Sequence, residues 1–369
     1  MKAVAVNPST RRVRLLDHEE PRITSPTQVK LRMLDVGVCG TDREICSFEY
    51  GTPPAGSTHL VIGHESLGVV EEIGSAVSRL SAGDLVVPIV RRPCRHQTCA
   101  ACRSGRQDFC YTGEFQERGI KEAHGFMTES IVDDEIYMNP VPRELRKFAV
   151  LVEPLTIAEK ALMQVREIQQ RLPWMCSGPV PQCRKAVVLG AGPVGLLGAM
   201  ALVNAGFETF VYSRSRRPNS KATLAESFGA RYVSSEEESL DQLASRMGNI
   251  DLVYEAVGAS RAAFEMMSVL GTNGVFVFTG VPGRKAPVEI DTDLLMRNLV
   301  LKNQVVFGTV NAGRGAYEAA IEDLGIFVKR WPKAVAGLIT GRHPVDAYEE
   351  LLLGKATGIK NVIAFSEAV

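Results

Sequence analysis

The chain has 369 residues, of which 45% are hydrophobic and 23% charged, and 42 basic residues balance 42 acidic ones. This length favours two domains, each with its own core. A net charge of zero gives no support for a nucleic-acid partner, and no apolar run approaches the thickness of a bilayer. We therefore expect neither a nucleic acid nor a membrane among its partners.

The first 140 residues have the pattern of a β-rich domain. Residues 1–6 read as a strand rather than a signal peptide, because no long apolar run follows Lys2. Short apolar segments broken by turns, such as 28–33 and 66–74, are typical of a barrel-like all-β unit. The expected location is the cytoplasm, where clustered cysteines bind metal more often than they form disulfides.

Thiol, imidazole and carboxylate side chains recur at short motifs in and just after this region. Cys39 begins Cys-Gly-Thr-Asp, His64 and Glu65 follow a glycine, and Glu153 precedes a proline. All three side-chain types bind zinc, and a catalytic zinc typically has three protein ligands and one open position. The four residues are therefore candidate ligands of a catalytic zinc.

A second candidate site consists of cysteines alone. Four of the eight cysteines fall between residues 94 and 110, at Cys94, Cys99, Cys102 and Cys110. Thiolates at such short spacing suit a structural tetrahedral zinc. The isolated Cys46, Cys176 and Cys183 are expected to be ordinary thiols.

The pattern changes after Pro154. Residues 155–170 have helical spacing of apolar side chains, 173–181 read as a connector, and 185–189 form a buried-strand pattern. Strand and helix patterns then alternate, as in a doubly wound parallel sheet, and residues 337–365 read as a helix and strands that return to the first unit. We predict an α/β protein with a catalytic domain of residues 1–183 completed by 309–369, and a nucleotide-binding domain of residues 184–308.

A glycine-rich turn follows the strand at 186–189 and opens a predicted helix at 196–205. Its residues are Gly190, Ala191, Gly192, Pro193, Val194 and Gly195. The glycines permit a tight turn and close approach of the backbone to a pyrophosphate, which the helix N-terminus favours. This turn predicts a dinucleotide site.

The second strand of such a unit usually ends in a carboxylate when the cofactor is NAD. Here it is followed by basic residues and no carboxylate: Ser213, Arg214, Arg216 and Arg217 are the predicted cofactor contacts. Guanidinium groups pair well with a phosphate. The sequence therefore predicts NADP as the preferred cofactor, with NAD as the alternative.

Taken together, these motifs resemble those of the zinc-dependent medium-chain dehydrogenases, and within them the glucose dehydrogenase branch. The resemblance covers almost the whole chain, and its branch-specific part is the segment 106–115 with Gly125 and Phe126. It implies a GroES-like β-rich catalytic domain and a Rossmann nucleotide-binding domain. It also implies a homodimer or homotetramer.

The resemblance also implies roles for single residues. Cys39 and His64 would bind the catalytic zinc, Glu65 or Glu153 would complete the coordination with water, and Asp42 would hold His64 in one tautomer. Thr41 would bind the reacting hydroxyl and pass its proton toward solvent. Glu114 would bind sugar hydroxyls, Asn311 would lie near the nicotinamide and the sugar, and Thr41, Glu114, Glu153 and Asn311 would form the substrate contacts.

The sequence departs from the branch pattern in two places. Four residues separate Cys94 from Cys99, where two are usual, so the first structural-zinc ligand is either Cys94, which we favour, or His96. Positions that carry polar sugar contacts in the branch are Val90, Ile157 and Leu301 here. Fewer polar contacts would leave sugar hydroxyls unpaired, so the aldose need not be glucose.

The predicted activity is a zinc-dependent transfer of hydride from the anomeric carbon of an aldose to NADP, with glucose as the best single guess and an aldonolactone as the product. A polyol or secondary-alcohol dehydrogenase on the same scaffold is the alternative enzyme. A nicotinamide-binding protein without turnover is the alternative from another class, and a zinc-free quinone reductase would lack both cysteine-containing metal motifs.

Overall fold

The computed structural model describes residues 1–173, 184–283 and 287–366. The chain divides into two compact units. The first unit comprises Met1–Thr156, Asn311–Val328 and the chain from Ile339 onward; the second comprises Ile157–Val310 and Lys329–Leu338. The predicted domain boundary at 183/184 and most of the predicted connector, with Cys176 and Cys183, lie outside the described residues. The domain bounds given above therefore stay a prediction.

Residues 1–173 form mostly short strands, together with three α-helices. They are β1 (Lys2–Asn7), β2 (Arg12–Asp17), β3 (Gln28–Gly37), α1 (Gly40–Cys46), β4 (Leu60–Val61), β5 (Glu65–Ile73), β6 (Leu85–Pro88), β7 (Arg91–Arg92), α2 (Ala100–Arg103), β8 (Gln116–Arg118), β9 (Glu122–Ala123), β10 (Ser130–Asp134), β11 (Met138–Val141) and α3 (Val152–Gln169). Helix α3 begins three residues earlier than the apolar pattern indicates, so Glu153 lies in its first turn.

The later elements alternate between strand and helix before the chain returns to the first unit. They are β12 (Lys185–Leu189), α4 (Pro193–Asn204), β13 (Glu208–Ser213), α5 (Ser220–Ser227), β14 (Arg231–Ser234), α6 (Leu240–Met247), β15 (Leu252–Glu255), α7 (Ser260–Ser268), β16 (Val275–Phe278), α8 (Thr292–Leu301), β17 (Val305–Gly308), α9 (Arg314–Arg330), α10 (Pro332–Leu338), β18 (Ile339–Pro344), α11 (Tyr348–Leu353) and β19 (Lys360–Ala364).

The first unit is built around a seven-stranded sheet. Its order is β11-β6-β5-β3-β19-β18, and β10 pairs with β3. The central strand β3 is antiparallel to β5, β10 and β19. Buried side chains such as Leu31, Met33, Val36 and Ile363 form the core. The pairing of β19 with β3 is what joins the C-terminal residues to the predicted β-rich region.

The second unit contains a six-stranded sheet in the order β14-β13-β12-β15-β16-β17. All its neighbouring strands are parallel, which confirms the predicted doubly wound sheet. Because helices cover both faces of such a sheet, its strands are continuous apolar runs rather than alternating ones. From β12 the chain first adds β13 and β14 on one side and then β15, β16 and β17 on the other, so the strand order changes direction between β12 and β15. In this topology ligands bind at the carboxyl ends of the strands at that point.

None of the helices in the described ranges has both the length and the apolar character needed to cross a bilayer.

Candidate functional site: a mixed metal cluster, a cysteine cluster and a nucleotide cleft

Asp42 connects the two loops that carry Cys39 and His64. Cys39 is the residue before helix α1, and its backbone N–H donates to Asp42 Oδ2 at 2.9 Å. The other carboxylate oxygen accepts from the backbone N–H of Gly63 at 3.2 Å and lies 3.3 Å from His64 Nδ1. Asp42 is fully buried, so both loops are held by one carboxylate shielded from water.

Cys39, His64 and Glu65 form a compact group of metal-binding atoms. One ligand atom from each residue lies within 4.8 Å of those of the other two. A thiol, an imidazole and a carboxylate at this spacing match the ligand chemistry of zinc. Although burial opposes protonation, the charge of Asp42 raises the pKa of His64 well above its usual value. The same carboxylate favours a proton on Nδ1, which leaves Nε2 available to a metal.

Glu153 and Lys360 complete the charged surroundings of this cluster. Burial raises the pKa of Glu153 to about 7, against the opposing charge of His64. Both oxygens of Glu65 accept from Lys360 Nζ, at 2.7 and 2.5 Å, and Lys360 also donates to Val38 O at 3.2 Å. Sequence reasoning missed Lys360, because it lies on β19, 295 residues from Glu65, in a segment with no motif of its own.

The four predicted cysteines of the second site lie together. The sulfurs of Cys94, Cys99, Cys102 and Cys110 are all within 4.8 Å of one another. His96 points elsewhere, since its Nε2 lies 2.7 Å from Glu114 Oε2. Burial by itself would raise the pKa of the Cys110 thiol, but hydrogen bonding with Thr112 lowers this pKa to about 6. The lower pKa favours the thiolate form, which binds metal.

Besides Glu153, the other three predicted substrate contacts also belong to the first unit. Thr41 is in the first turn of α1, two residues after Cys39. Glu114 is largely exposed and pairs with His96. Asn311 has a left-handed backbone conformation (φ 58°), and its Nδ2 donates to Glu117 Oε1 at 2.9 Å. Glu117 was not predicted from the sequence, since 194 residues separate it from Asn311.

The glycine-rich turn has the close contacts that its sequence predicts. Gly190 has φ +113°, and a Cβ at Gly195 would lie 2.3 Å from Gly190 O, so only glycine fits at either position. A Cβ at Gly192 would meet nothing within 4 Å, so the backbone there is open to a ligand. Helix α4 begins at Pro193, with Val194 next and no side-chain cap on its first N–H groups, and proline suits this first position.

A cleft of about 1190 Å³ lies in the second unit beside this turn. Gly190, Gly192, Ser213, Arg214 and Lys221 are among the residues that line it. Lys221 was not predicted; its position in the first turn of α5, just after the arginine-rich loop, is the signal that could have found it.

The predicted arginines differ in where their side chains point. Arg214 lines the cleft, whereas Arg216 pairs with Glu236 at 3.1 Å. Arg217 pairs with Glu226 and donates to Tyr232 O at 2.6 Å. Only one of the three arginines is therefore a lining residue of the cleft, because carboxylates and a carbonyl of the same unit bind the other two.

Comparison with known protein families gives matches along almost the entire chain. The family model described as alcohol dehydrogenase GroES-like domain matches residues 25–143, and that described as glucose dehydrogenase C-terminus matches residues 146–365. Glucose 1-dehydrogenase of Methanocella arvoryzae is 39% identical, over 98% of this chain and 99% of its own length. Glucose 1-dehydrogenase of Metallosphaera sedula is 36% identical, over 98% of both chains.

Among solved structures, the chain is similar to Haloferax mediterranei glucose dehydrogenase in complex with NADP, Zn and gluconolactone. The two chains are 33% identical, each is covered completely, and the TM-score is 0.89. These matches confirm the predicted GroES-like and Rossmann architecture.

Proposed function

The chain belongs to the glucose dehydrogenase branch of the zinc-dependent medium-chain dehydrogenases, and from this premise we propose that it oxidises an aldose at the anomeric carbon with NADP. Glucose is the best single candidate, and the product is the aldonolactone. In the overall reaction the carbon-bound hydrogen leaves as hydride to NADP and the hydroxyl proton leaves to solvent. The observation that carries the proposal is the cluster of Cys39, His64 and Glu65 held by Asp42.

The residues of this cluster fit a catalytic zinc. Cys39, His64 and Glu65 would hold the ion, and Glu153, buried among the same charges, would serve as a further ligand or substrate contact. When bound, zinc acts as a Lewis acid that stabilises the negative charge developing on the substrate oxygen. Asp42 favours the proton of His64 on Nδ1, so that Nε2 would be free to bind the ion.

Thr41 is the proposed carrier of the substrate proton. It follows Cys39 by two residues and lies at the start of a helix whose first turn is fixed by Asp42. A hydroxyl both accepts and donates a hydrogen bond, so Thr41 can take the proton of the reacting hydroxyl while donating its own.

The glycine-rich turn and the cleft beside it fit NADP. The open backbone at Gly192 and the uncapped start of α4 present N–H groups to a pyrophosphate. Arg214 and Lys221 would bind the 2′-phosphate, because they are basic residues lining the cleft near the end of β13. We therefore propose NADP over NAD, with Ser213 as a neighbouring contact.

Cys94, Cys99, Cys102 and Cys110 would hold a second, structural zinc. Four sulfurs close an ion's coordination shell and leave no open position for a substrate. The proposed role of this site is to fix the segment that continues to Glu114.

The predicted sugar-binding positions combine polar and apolar side chains. Glu114 and Asn311 are the proposed sugar contacts, but Val90, Ile157 and Leu301 offer no polar groups. This apolar set favours a second candidate function, the oxidation of a less hydroxylated polyol or secondary alcohol by the same metal site. We also propose that the protein is cytoplasmic and forms a homodimer or homotetramer. Light scattering on the purified protein would test the oligomeric state.

The test is reduction of NADP, followed by absorbance, with a panel of aldoses, polyols and secondary alcohols, with and without a zinc chelator. We expect chelator-sensitive turnover with one or a few aldoses. Turnover restricted to polyols or secondary alcohols would favour the second candidate. Tight NADPH binding with no turnover of any panel member, in protein that retains zinc, would overturn both and favour a nicotinamide-binding protein without activity.

A further inference from the structure

Asn311 and Glu117 form a hydrogen-bonded pair in the first unit. Asn311 Nδ2 donates to Glu117 Oε1 at 2.9 Å. The same oxygen accepts from Arg91 Nε at 3.1 Å and from Arg91 Nη2 at 2.9 Å. All three residues belong to the first unit. Glu117 Oε1 therefore joins strand β7, which carries Arg91, to the chain segment just before α9, which carries Asn311.

Arg91 is itself held firmly. Its side chain is nearly buried, its Nη1 donates to Asp108 O at 3.3 Å, and its guanidinium lies 3.7 Å from the centre of the Phe115 ring. A buried guanidinium with a carboxylate partner has little freedom to move, because a broken pair would leave an unpaired buried charge. The position of Glu117 is therefore fixed by Arg91.

This arrangement determines which way the Asn311 amide faces. Glu117 can only accept a hydrogen bond, so the NH₂ group of Asn311 points toward it. The backbone N–H of Ala312 can only donate, and it contacts Asn311 Oδ1 at 2.9 Å. Flipping the amide would place oxygen against carboxylate and NH₂ against N–H, which costs both hydrogen bonds. One N–H and one oxygen lone pair of Asn311 remain available in fixed directions.

We infer that Glu117, held by Arg91, is a positioning residue that orients Asn311 for contact with the sugar. The inference rests on the proposed function, since it takes Asn311 as a sugar contact. Glu117 acts through Asn311 rather than on the substrate, and Arg91 fixes the same Glu117 oxygen that accepts from Asn311. The remaining N–H and oxygen lone pair of Asn311 then have fixed directions, and these directions contribute to the choice of sugar.

A double-mutant cycle on the zinc-loaded enzyme tests this inference. Glu117→Gln keeps an acceptor oxygen but adds a donor, so the Asn311 amide is no longer restricted to one orientation. Asn311→Gly removes the side chain and tolerates the left-handed backbone conformation. We expect Glu117→Gln to lower kcat/KM for the aldose by about tenfold, mainly through KM, with the KM for NADP unchanged.

In the Asn311→Gly background, Glu117→Gln should have little further effect on kcat/KM for the aldose, because the group it positions is gone. Full additivity of the two effects would overturn the inference, as would a Glu117→Gln enzyme with unchanged kinetics. Thermal melting and zinc content separate these results from misfolding, and Glu122→Gln on the neighbouring strand β9 is the matched control. If the wild-type enzyme turns over no aldose at all, the proposed function fails; an active wild type with an additive cycle contradicts the positioning role alone.

Discussion

Lys360 and Glu65 form a buried ion pair in which one ammonium group contacts both carboxylate oxygens, at 2.5 and 2.7 Å. Both side chains are almost completely shielded from solvent. Glu65 is also one of the three residues of the compact metal-binding cluster, so Lys360 determines where its carboxylate lies relative to Cys39 and His64. The pair therefore links the C-terminal strand β19 to the proposed catalytic metal site.

Removing the positive charge of this pair should destabilise the first unit. We expect Lys360→Met to lower the free energy of unfolding by about 3–5 kcal/mol, because Glu65 would be left as an unpaired buried charge. Urea unfolding followed by circular dichroism measures the change. The double variant Lys360→Met with Glu65→Gln should be more stable than Lys360→Met alone. The control Lys30→Met breaks pairs with the exposed carboxylates of Glu20 and Glu72, so its free energy of unfolding should fall by much less than that of Lys360→Met. A Lys360→Met protein as stable as the wild type would contradict the role given to the pair.

Cys39→Ala should abolish turnover while leaving NADPH binding intact, because Cys39 lies in the first unit and the nucleotide cleft lies in the second. The loss of kcat should reach at least about 10³-fold, as expected when a metal that stabilises charge in the transition state is lost. The matched control is Cys46→Ala: Cys46 is buried, burial raises the pKa of its thiol to about 12, and it belongs to neither metal cluster in the described structure. Initial rates and fluorescence titration with NADPH give the two readouts. Full activity of Cys39→Ala would disprove the zinc assignment.

The zinc content of two variants should distinguish Cys94 from His96 as the first ligand of the structural zinc. We expect Cys94→Ser to lose one zinc equivalent and to melt at a lower temperature, because its sulfur lies among the other three. His96→Gln should retain the full zinc content, since its imidazole contacts Glu114 rather than the sulfurs. Elemental analysis of the purified variants decides between them. Zinc loss in His96→Gln with retention in Cys94→Ser would reverse the assignment.

Cofactor preference should depend on Arg214 more than on its neighbours. Arg214→Ala should raise the KM for NADP by about 10- to 100-fold, through loss of a charged hydrogen bond to the 2′-phosphate, and should leave the KM for NAD almost unchanged. Arg217→Ala is the matched control, because its guanidinium binds Glu226 and Tyr232 O instead of lining the cleft. Equal effects of Arg214→Ala on both cofactors would exclude a role in binding the 2′-phosphate.

Three histidines from separate segments should make stability depend on pH. His18, His59 and His124 have ring centres 4.8–5.4 Å apart, and Val61 N–H donates to His124 Nδ1 at 3.1 Å. The pKa of His124 is lowered to about 4, first by burial and then by the charges of His18, His59 and Arg118. Because this folded-state pKa is below the usual value of 6.5, the neutral cluster stabilises the fold above pH 6.5, and this stabilisation is lost as the pH falls toward 4.

The measurement is the free energy of unfolding of wild type and His124→Asn between pH 7.5 and 4.5. An asparagine oxygen can accept the same backbone hydrogen bond but takes up no proton. Relative to the variant, the wild type should lose about 1 kcal/mol over this range, a figure reduced for the partial exposure of the ring. Parallel pH profiles of the two proteins would contradict the prediction.

Several features of the site could be predicted from the sequence because they depend on neighbours in the chain. The turn at Gly190–Gly195 requires glycine for local reasons of φ and close packing, and the structure has both. Cys99, Cys102 and Cys110 are close in sequence, so a short loop brings them together without help from other elements. The parallel sheet of the second unit follows from the alternation of buried strands with helices.

The tertiary structure decided what depends on residues distant in the chain. Lys360 meets Glu65 only because β19 pairs with β3, and Asn311 meets Glu117 across 194 residues. Arginines of the same short loop look equivalent in sequence, yet Arg217 binds Glu226 while Arg214 lines the cleft. The sequence alone determined the kinds of chemical group present and their local turns. Which groups share a buried space, and hence which charges and amides are fixed, depended on long-range strand pairing that no local pattern encodes.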